Sequence, residues 1–236
     1  MLSRPGCVVN RLPVLLTRPA RGSAEFAEAL RGALGEVEII VNPLIEIVPV
    51  APKELPGPDD ALIFTSVSAV EVFATFQAGG GRRAWCVGDR TAAAAASAGF
   101  EPRVGNGVAA GLPERIAREQ PVPLLLHMHG AHVRVDLAER LTSMGYPCHS
   151  VVIYDQPARA LTPPLKARLA GGEAMVAPLF SPRSAGLLAA EVKNLGANLR
   201  VVALSSAVAQ EWPGDAVVAE RPDAAAMLDA VRREVG

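Results

Sequence analysis

Pro43-Leu44-Ile45-Glu46-Ile47-Val48-Pro49 and Val151-Val152-Ile153-Tyr154-Asp155-Gln156-Pro157 are extended, proline-ended stretches, and how they are read decides the fold. Around them the chain is regular. Strands are expected at Val14–Leu16, Val37–Val41, Ile45–Val48, Ala61–Thr65, Ala84–Val87, Pro102–Val104, Leu124–Met128, Val151–Tyr154, Ala174–Leu179, Val201–Leu204 and Ala216–Ala219. Helices are expected at Ser23–Leu34, Ser68–Phe76, Arg90–Ala98, Leu112–Glu119, Val133–Met144, Pro164–Leu169, Arg183–Asn194, Ala207–Trp212 and Asp223–Glu234. Short apolar strands alternating with single helices make parallel sheets with helices on their faces, so the class is α/β.

The strand–helix units repeat. Leu15-Leu16-Thr17-Arg18-Pro19 aligns with Leu125-Leu126-His127-Met128-His129-Gly130, Phe64-Thr65-Ser66 with Phe180-Ser181-Pro182, and Val87-Gly88 with Leu204-Ser205, at an offset of about 110 to 117 residues. A period that long implies two similar lobes and not a solenoid. The two extended stretches then become a two-stranded hinge, with strands near residues 44–49 and 151–157. Two crossings make residues 50–152 one lobe and leave 1–45 and 156–236 to build the other, with a cleft expected between them.

Half of the 236 residues are hydrophobic, enough for a sizeable core, while aromatics are only 4 %, so Ala, Val and Leu must fill it. The 23 basic and 24 acidic residues leave a formal charge of −1. No basic excess exists to neutralise a run of phosphates, which argues against nucleic acid as a partner. Cys7, Cys86 and Cys148 lie far apart with no CxxC spacing, giving neither a disulfide framework nor a zinc site. The first apolar run, Val14–Leu16, is too short for a signal segment, and no stretch approaches the roughly 20 apolar residues of a membrane span. The expectation is a cytoplasmic monomer without a membrane partner, its first dozen residues a loose extension.

Gly105-Asn106-Gly107-Val108-Ala109-Ala110 satisfies GxGxxA, but the strand before it is short and no acidic residue ends the next one, so it reads as a glycine turn and not a dinucleotide site. His127 and His129 share a strand face, as two metal ligands would, yet no acidic or cysteine ligand accompanies them. They read as solvent-exposed or substrate-facing imidazoles. Hydroxyls and glycines at strand carboxyl ends say more, because open α/β sheets bind ligands there. Thr17-Arg18, Thr65-Ser66-Val67-Ser68, Gly88-Asp89-Arg90-Thr91, Ser181-Pro182-Arg183-Ser184 and Ser205-Ser206 each precede a helix. Each hydroxyl can cap its helix, and the first-turn amides suit an anion. Arginines within these turns favour a small ligand with several carboxylates over a polyphosphate.

LLTRP (Leu15–Pro19), FTSVSAV (Phe64–Val70), VGDRTAAAAASAGF (Val87–Phe100), VVIYDQP (Val151–Pro157), FSPRSA (Phe180–Ala185) and ALSSAVA (Ala203–Ala209) occur in an order and spacing that resembles the uroporphyrinogen-III synthase family. The resemblance runs from about Val14 to the end. It implies two flavodoxin-like lobes joined by a two-stranded linker, and an enzyme without a cofactor or metal. Such enzymes, hydro-lyases of tetrapyrrole and heme biosynthesis, take the linear tetrapyrrole hydroxymethylbilane, release its terminal hydroxyl as water, and close the ring with inversion of the last pyrrole through a spiro intermediate. The bilane closes unaided to the symmetric isomer, so the enzyme's share is largely geometric.

By the same resemblance Tyr154 matches the family's hinge tyrosine and is the candidate proton donor to the leaving hydroxyl; phenols carry their proton at neutral pH. Thr65, Ser66, Ser68, Gly88 and Thr91 match the binding turns of the central lobe, Ser181 and Ser184 those of the other, and Arg18 is placed to meet a carboxylate. His129-Gly130 stands where many members have arginine–glycine, and Ser205-Ser206-Ala207 where many have glycine–x–x–threonine. These positions are not counted as ligands. The competing readings are a two-lobed protein that binds a multi-carboxylate small molecule without turnover, and a paralogue that has lost turnover.

Overall fold

The structure is a computed structural model that describes residues 11–105, 107–119, 124–132 and 136–236. The chain divides into two compact units, one made of the chain up to Glu46 with Ala158–Gly236, the other of Ile47–Pro157. The first contains β1 (Val14–Leu16), α1 (Ala20–Leu34) and β2 (Ile39–Val41). The second then runs through β3 (Val48–Pro49), β4 (Ala61–Phe64), α2 (Val67–Phe76), β5 (Arg83–Cys86), α3 (Asp89–Ser97), β6 (Glu101–Val104), α4 (Leu112–Arg118), β7 (Leu125–Gly130), α5 (Leu137–Ser143) and β8 (Cys148–Asp155). The chain returns to the first unit with α6 (Pro163–Ala170), β9 (Met175–Leu179), α7 (Pro182–Val192), β10 (Leu199–Ala203), α8 (Ser206–Ala209), β11 (Ala216–Val218) and α9 (Ala224–Val235).

The first unit's sheet has the order β11-β10-β9-β1-β2 with every pairing parallel. The second has the order β3-β8-β7-β4-β5-β6, parallel except for antiparallel β3 on β8. Central strands are apolar on both faces because helices cover both. On β1, Leu15 enters a cluster with Leu165 and Leu188 of α6 and α7, while Val14 and Leu16 pack with Phe26 and Met227 of α1 and α9. On β4, Leu62 and Phe64 meet Phe73 and Ala95 of α2 and α3, while Ala61 and Ile63 meet Ile116 and Leu141 of α4 and α5. Each strand thus splits its side chains between two cores, the doubly wound arrangement that the alternation of elements predicts.

Several boundaries differ from the sequence expectation for local reasons. α1 starts at Ala20, directly after Pro19, and the Ser23 hydroxyl bonds back to the Arg18 carbonyl at 2.8 Å instead of beginning the helix. α8 stops at Ala209 and does not reach Trp212, whose successor Pro213 disfavours helical backbone before it. The strand expected at Ile45–Val48 is one antiparallel bridge, Ile45 to Ala158, followed by the two-residue β3. The helix expected from Val133 begins at Leu137, with the Asp136 carboxylate accepting from the Glu139 amide at 3.0 Å; residues 133–135, like Cys7 and the rest of the first ten residues, lie outside the described residues.

Candidate active site

The hydroxyl-bearing turns of the second unit sit at the carboxyl ends of β4 and β5, neighbours in its sheet. Ser66 is the N-cap of α2: its Oγ accepts from the Ala69 amide at 3.1 Å. That leaves the Val67 and Ser68 amides without an intrahelical acceptor, because a first turn offers none. α3 begins beyond Gly88, a cap with no side chain, where an added Cβ would come within 3.4 Å of the Gly107 Cα. Thr65, Ser66 and Ser68 are half-buried; Thr91, third in α3, is buried.

Tyr154 reaches these turns from another strand. It lies on β8, two strands from β4, with β7 between them. Its hydroxyl is nevertheless 3.2 Å from Ser66 Oγ, and the side chain is buried among the α2 and α3 contacts. The expected proton donor therefore touches the cap of α2 directly. A phenol bonded to a capping serine is fixed in direction, which is what a positioned acid requires.

The opposite face of β7 carries the two histidines, and here the expectation is corrected: neither is solvent-exposed, with His127 only 1 % and His129 6 % accessible. β7 continues to Gly130 and carries both rings into the unit. His127 Nε2 lies 3.5 Å from Thr65 Oγ1, and its Nδ1 is buried without a partner. Burial, reinforced by the neighbouring His129 ring 4.7 Å away, lowers the His127 pKa to about 4, so it is uncharged at neutral pH. His129 Nδ1 donates to the Gly130 carbonyl at 2.7 Å, leaving Nε2 to face the Ser150 hydroxyl at 3.1 Å. Among the described residues, no group of three or more His, Cys, Asp or Glu comes together as a metal site would need. Gly105 and Gly107 have packing roles: a Cβ on Gly105 would stand 2.9 Å from the Val87 carbonyl oxygen, and Gly107 has φ +85°.

In the first unit, Arg18 follows β1 and its guanidinium stacks on the Phe180 ring, 4.0 Å from the centroid. Phe180 meets Phe26 edge to face at 5.0 Å, so the stacking platform is itself held. Stacking uses the face of a guanidinium, whereas carboxylates bind at its edge. Ser181, next to Phe180, caps α7: its Oγ accepts from the Ser184 amide at 3.1 Å and lies 2.9 Å from the buried Ser184 Oγ. Arg18, Ser181 and Ser184 therefore gather around one helix start.

The structure also names contributors the sequence reading missed. In the sequence Phe180 is visible only as part of a motif, and nothing there links His127 to Thr65, which lie 62 residues apart.

A family model described as uroporphyrinogen-III synthase HemD matches residues 24–229. No curated protein matches the chain. Among solved structures, uroporphyrinogen-III synthetase from Helicobacter pylori superposes with a TM-score of 0.67 at 16 % identity, covering 94 % of this chain and 99 % of that one. A mutant uroporphyrinogen III synthase from Thermus thermophilus gives 0.52 at 18 % identity, covering 94 % and 98 %. At these identities the superpositions establish a shared fold, and the family match over most of the sequence establishes kinship. The chain belongs to the uroporphyrinogen-III synthase family, the lyases that close the tetrapyrrole ring in heme biosynthesis.

Proposed function

We propose that this chain cyclises hydroxymethylbilane to uroporphyrinogen III with its own side chains and backbone alone, Tyr154 acting as the proton donor. The observation that carries the reading is the Tyr154 hydroxyl, buried and 3.2 Å from the hydroxyl that caps α2. Tyr154 gives its proton to the terminal hydroxyl of the bilane, which departs as water. The electron pair of the substituted pyrrole carbon then forms the spiro bond to the carbon that lost water; the older bond from that pyrrole carbon to its bridging methylene breaks, and the unsubstituted α carbon of the same ring bonds to the freed methylene, which inverts the last ring. The hydrogen lost from the closing ring carbon returns the proton, so the sum is substrate to product plus water.

The acetate and propionate arms are gripped by Thr65, Ser66, Ser68, Gly88 and Thr91 in one unit and by Arg18, Ser181 and Ser184 in the other. First-turn amides and hydroxyls suit carboxylates. They hold by direction and not by bulk charge, in keeping with a chain of net charge −1. The extended crossings near residues 44–49 and 151–157 serve as the hinge between lobes of residues 1–45 with 156–236 and residues 50–152. We place the enzyme in the cytoplasm as a monomer. Among the described residues no helix is long and apolar enough to cross a membrane.

The test is steady-state kinetics of Tyr154→Phe. General acid catalysis contributes a factor of about 10² or more, so kcat is expected to fall by about that factor while KM stays within about twofold. An unchanged kcat would remove Tyr154 from the chemistry.

A further inference from the structure

β7 and β8 pair in strict succession from Leu125 opposite Cys148 to His129 opposite Val152, and there the register shifts so that Gly130 faces Tyr154 and Ile153 is the extra residue. In an uninterrupted strand successive side chains alternate between faces. Val151 and Ile153 point toward the α2 and α3 side, so Tyr154 would point to the other face, with Ser150 and Val152. The bulge cancels that alternation: Ile153 and Tyr154 both enter the core that contains Val70 and Phe73 of α2.

Turning the ring to this face is not sufficient for it to reach Ser66, because β7 stands between β8 and β4. The ring passes over β7 at the one point where that strand has no side chain. A Cβ on Gly130 would lie 2.5 Å from Tyr154 Cε2, 2.6 Å from Cζ and 3.0 Å from Cδ2, separations that carbon atoms do not tolerate. The Tyr154 carbonyl, in turn, accepts from the Ala131 amide at 2.9 Å, which fixes the backbone on both sides of the crossing. The crowding atoms are ring atoms backed by a packed core, so a side chain at 130 cannot be accommodated by a flexible tip swinging away.

We propose that Gly130, together with the bulge at Ile153, is a positioning element for the proton donor: its bare backbone is the seat across which the Tyr154 ring reaches the cap of α2. This rests on the reading of Tyr154 as the proton donor. It assigns to the glycine a role in kcat without contact with the substrate.

The experiment is a double-mutant cycle with Gly130→Ala and Tyr154→Phe, reading kcat, KM and the thermal midpoint. Gly130→Ala is expected to lower kcat at least tenfold with KM within about twofold. In the Tyr154→Phe background, where no acid remains to be misplaced, it is expected to lower kcat by less than twofold. Equal fold losses in both backgrounds would overturn the proposal. If Tyr154→Phe alone retains full kcat, the proton-donor reading fails, and the seat is judged on stability. Gly130→Ala should then lower the midpoint in the parent, and far less in a Tyr154→Ala background where the Cβ has room. The same pair of midpoints decides the matter if Gly130→Ala is too unstable to assay, and a penalty undiminished by Tyr154→Ala would overturn the proposal.

Discussion

Tyr154 shows what one residue owes to its strand neighbours. Its candidacy was legible from VVIYDQP by family resemblance, but the face it occupies was not, because a register shift is a property of two strands paired in space. The same holds for His127. Spacing placed it on a face with His129, yet only the sheet reveals that this face is covered and leaves its Nδ1 buried without a partner. The consequence is a pH dependence of stability. The folded His127 pKa is lowered to about 4 by burial, against an ordinary value near 6.5, so between those values the unfolded chain binds a proton that the folded chain refuses. This contribution is fully present above about pH 6.5 and is lost as pH falls toward 4. Between pH 7 and pH 5 it amounts to about 2 kcal/mol. Urea unfolding of the parent at the two pH values should show it, and His127→Gln should lose less stability over the same interval; an identical loss in both proteins would contradict the assignment. Cys86 and Cys148, pushed up to about 12 and about 11 by burial, stay protonated and are poor nucleophiles at neutral pH.

The elements were easier to read than their ends. Alternating apolar strands and Ala-rich helices were plain in the sequence because parallel strands buried on both faces lack polar interruptions. Ends were less legible where a competing local bond decides, as with Ser23, whose hydroxyl turns back to Arg18 and lets α1 begin at Ala20. Ser66 and Ser181 illustrate a further limit: a serine before a helix signals a cap, but the sequence does not separate capping from ligand binding. Substitution does. Ser181→Ala should destabilise the protein by about 1 kcal/mol through loss of the α7 cap. Ser181→Asp keeps a capping oxygen and should restore that stability, while its charge repels substrate carboxylates and raises KM severalfold. If Ser181→Asp leaves KM unchanged, this turn does no more than start its helix.

For the whole molecule, two units of parallel sheet follow from the alternation and the two extended stretches, while the order of strands within each sheet comes only from the structure. Equating β7 with β1, β8 with β2, and β4, β5 and β6 with β9, β10 and β11 gives both sheets one spatial order. The pairs β1 with β7, β4 with β9 and β5 with β10 are the ones aligned in the proposed repeat. The few aromatics are concentrated in the second unit, where Phe64, Phe73 and Trp85 are fully buried, and Ala, Val and Leu fill most of the remaining core on short strands. The central claim is geometric: the fold holds a bilane so that closure occurs from the substituted carbon before the free chain closes by itself. It is tested most directly by incubating the purified protein with freshly generated hydroxymethylbilane and resolving the uroporphyrinogen isomers. The account predicts predominantly type III product, formed faster than spontaneous closure; type I alone, at the rate seen without protein, would contradict it.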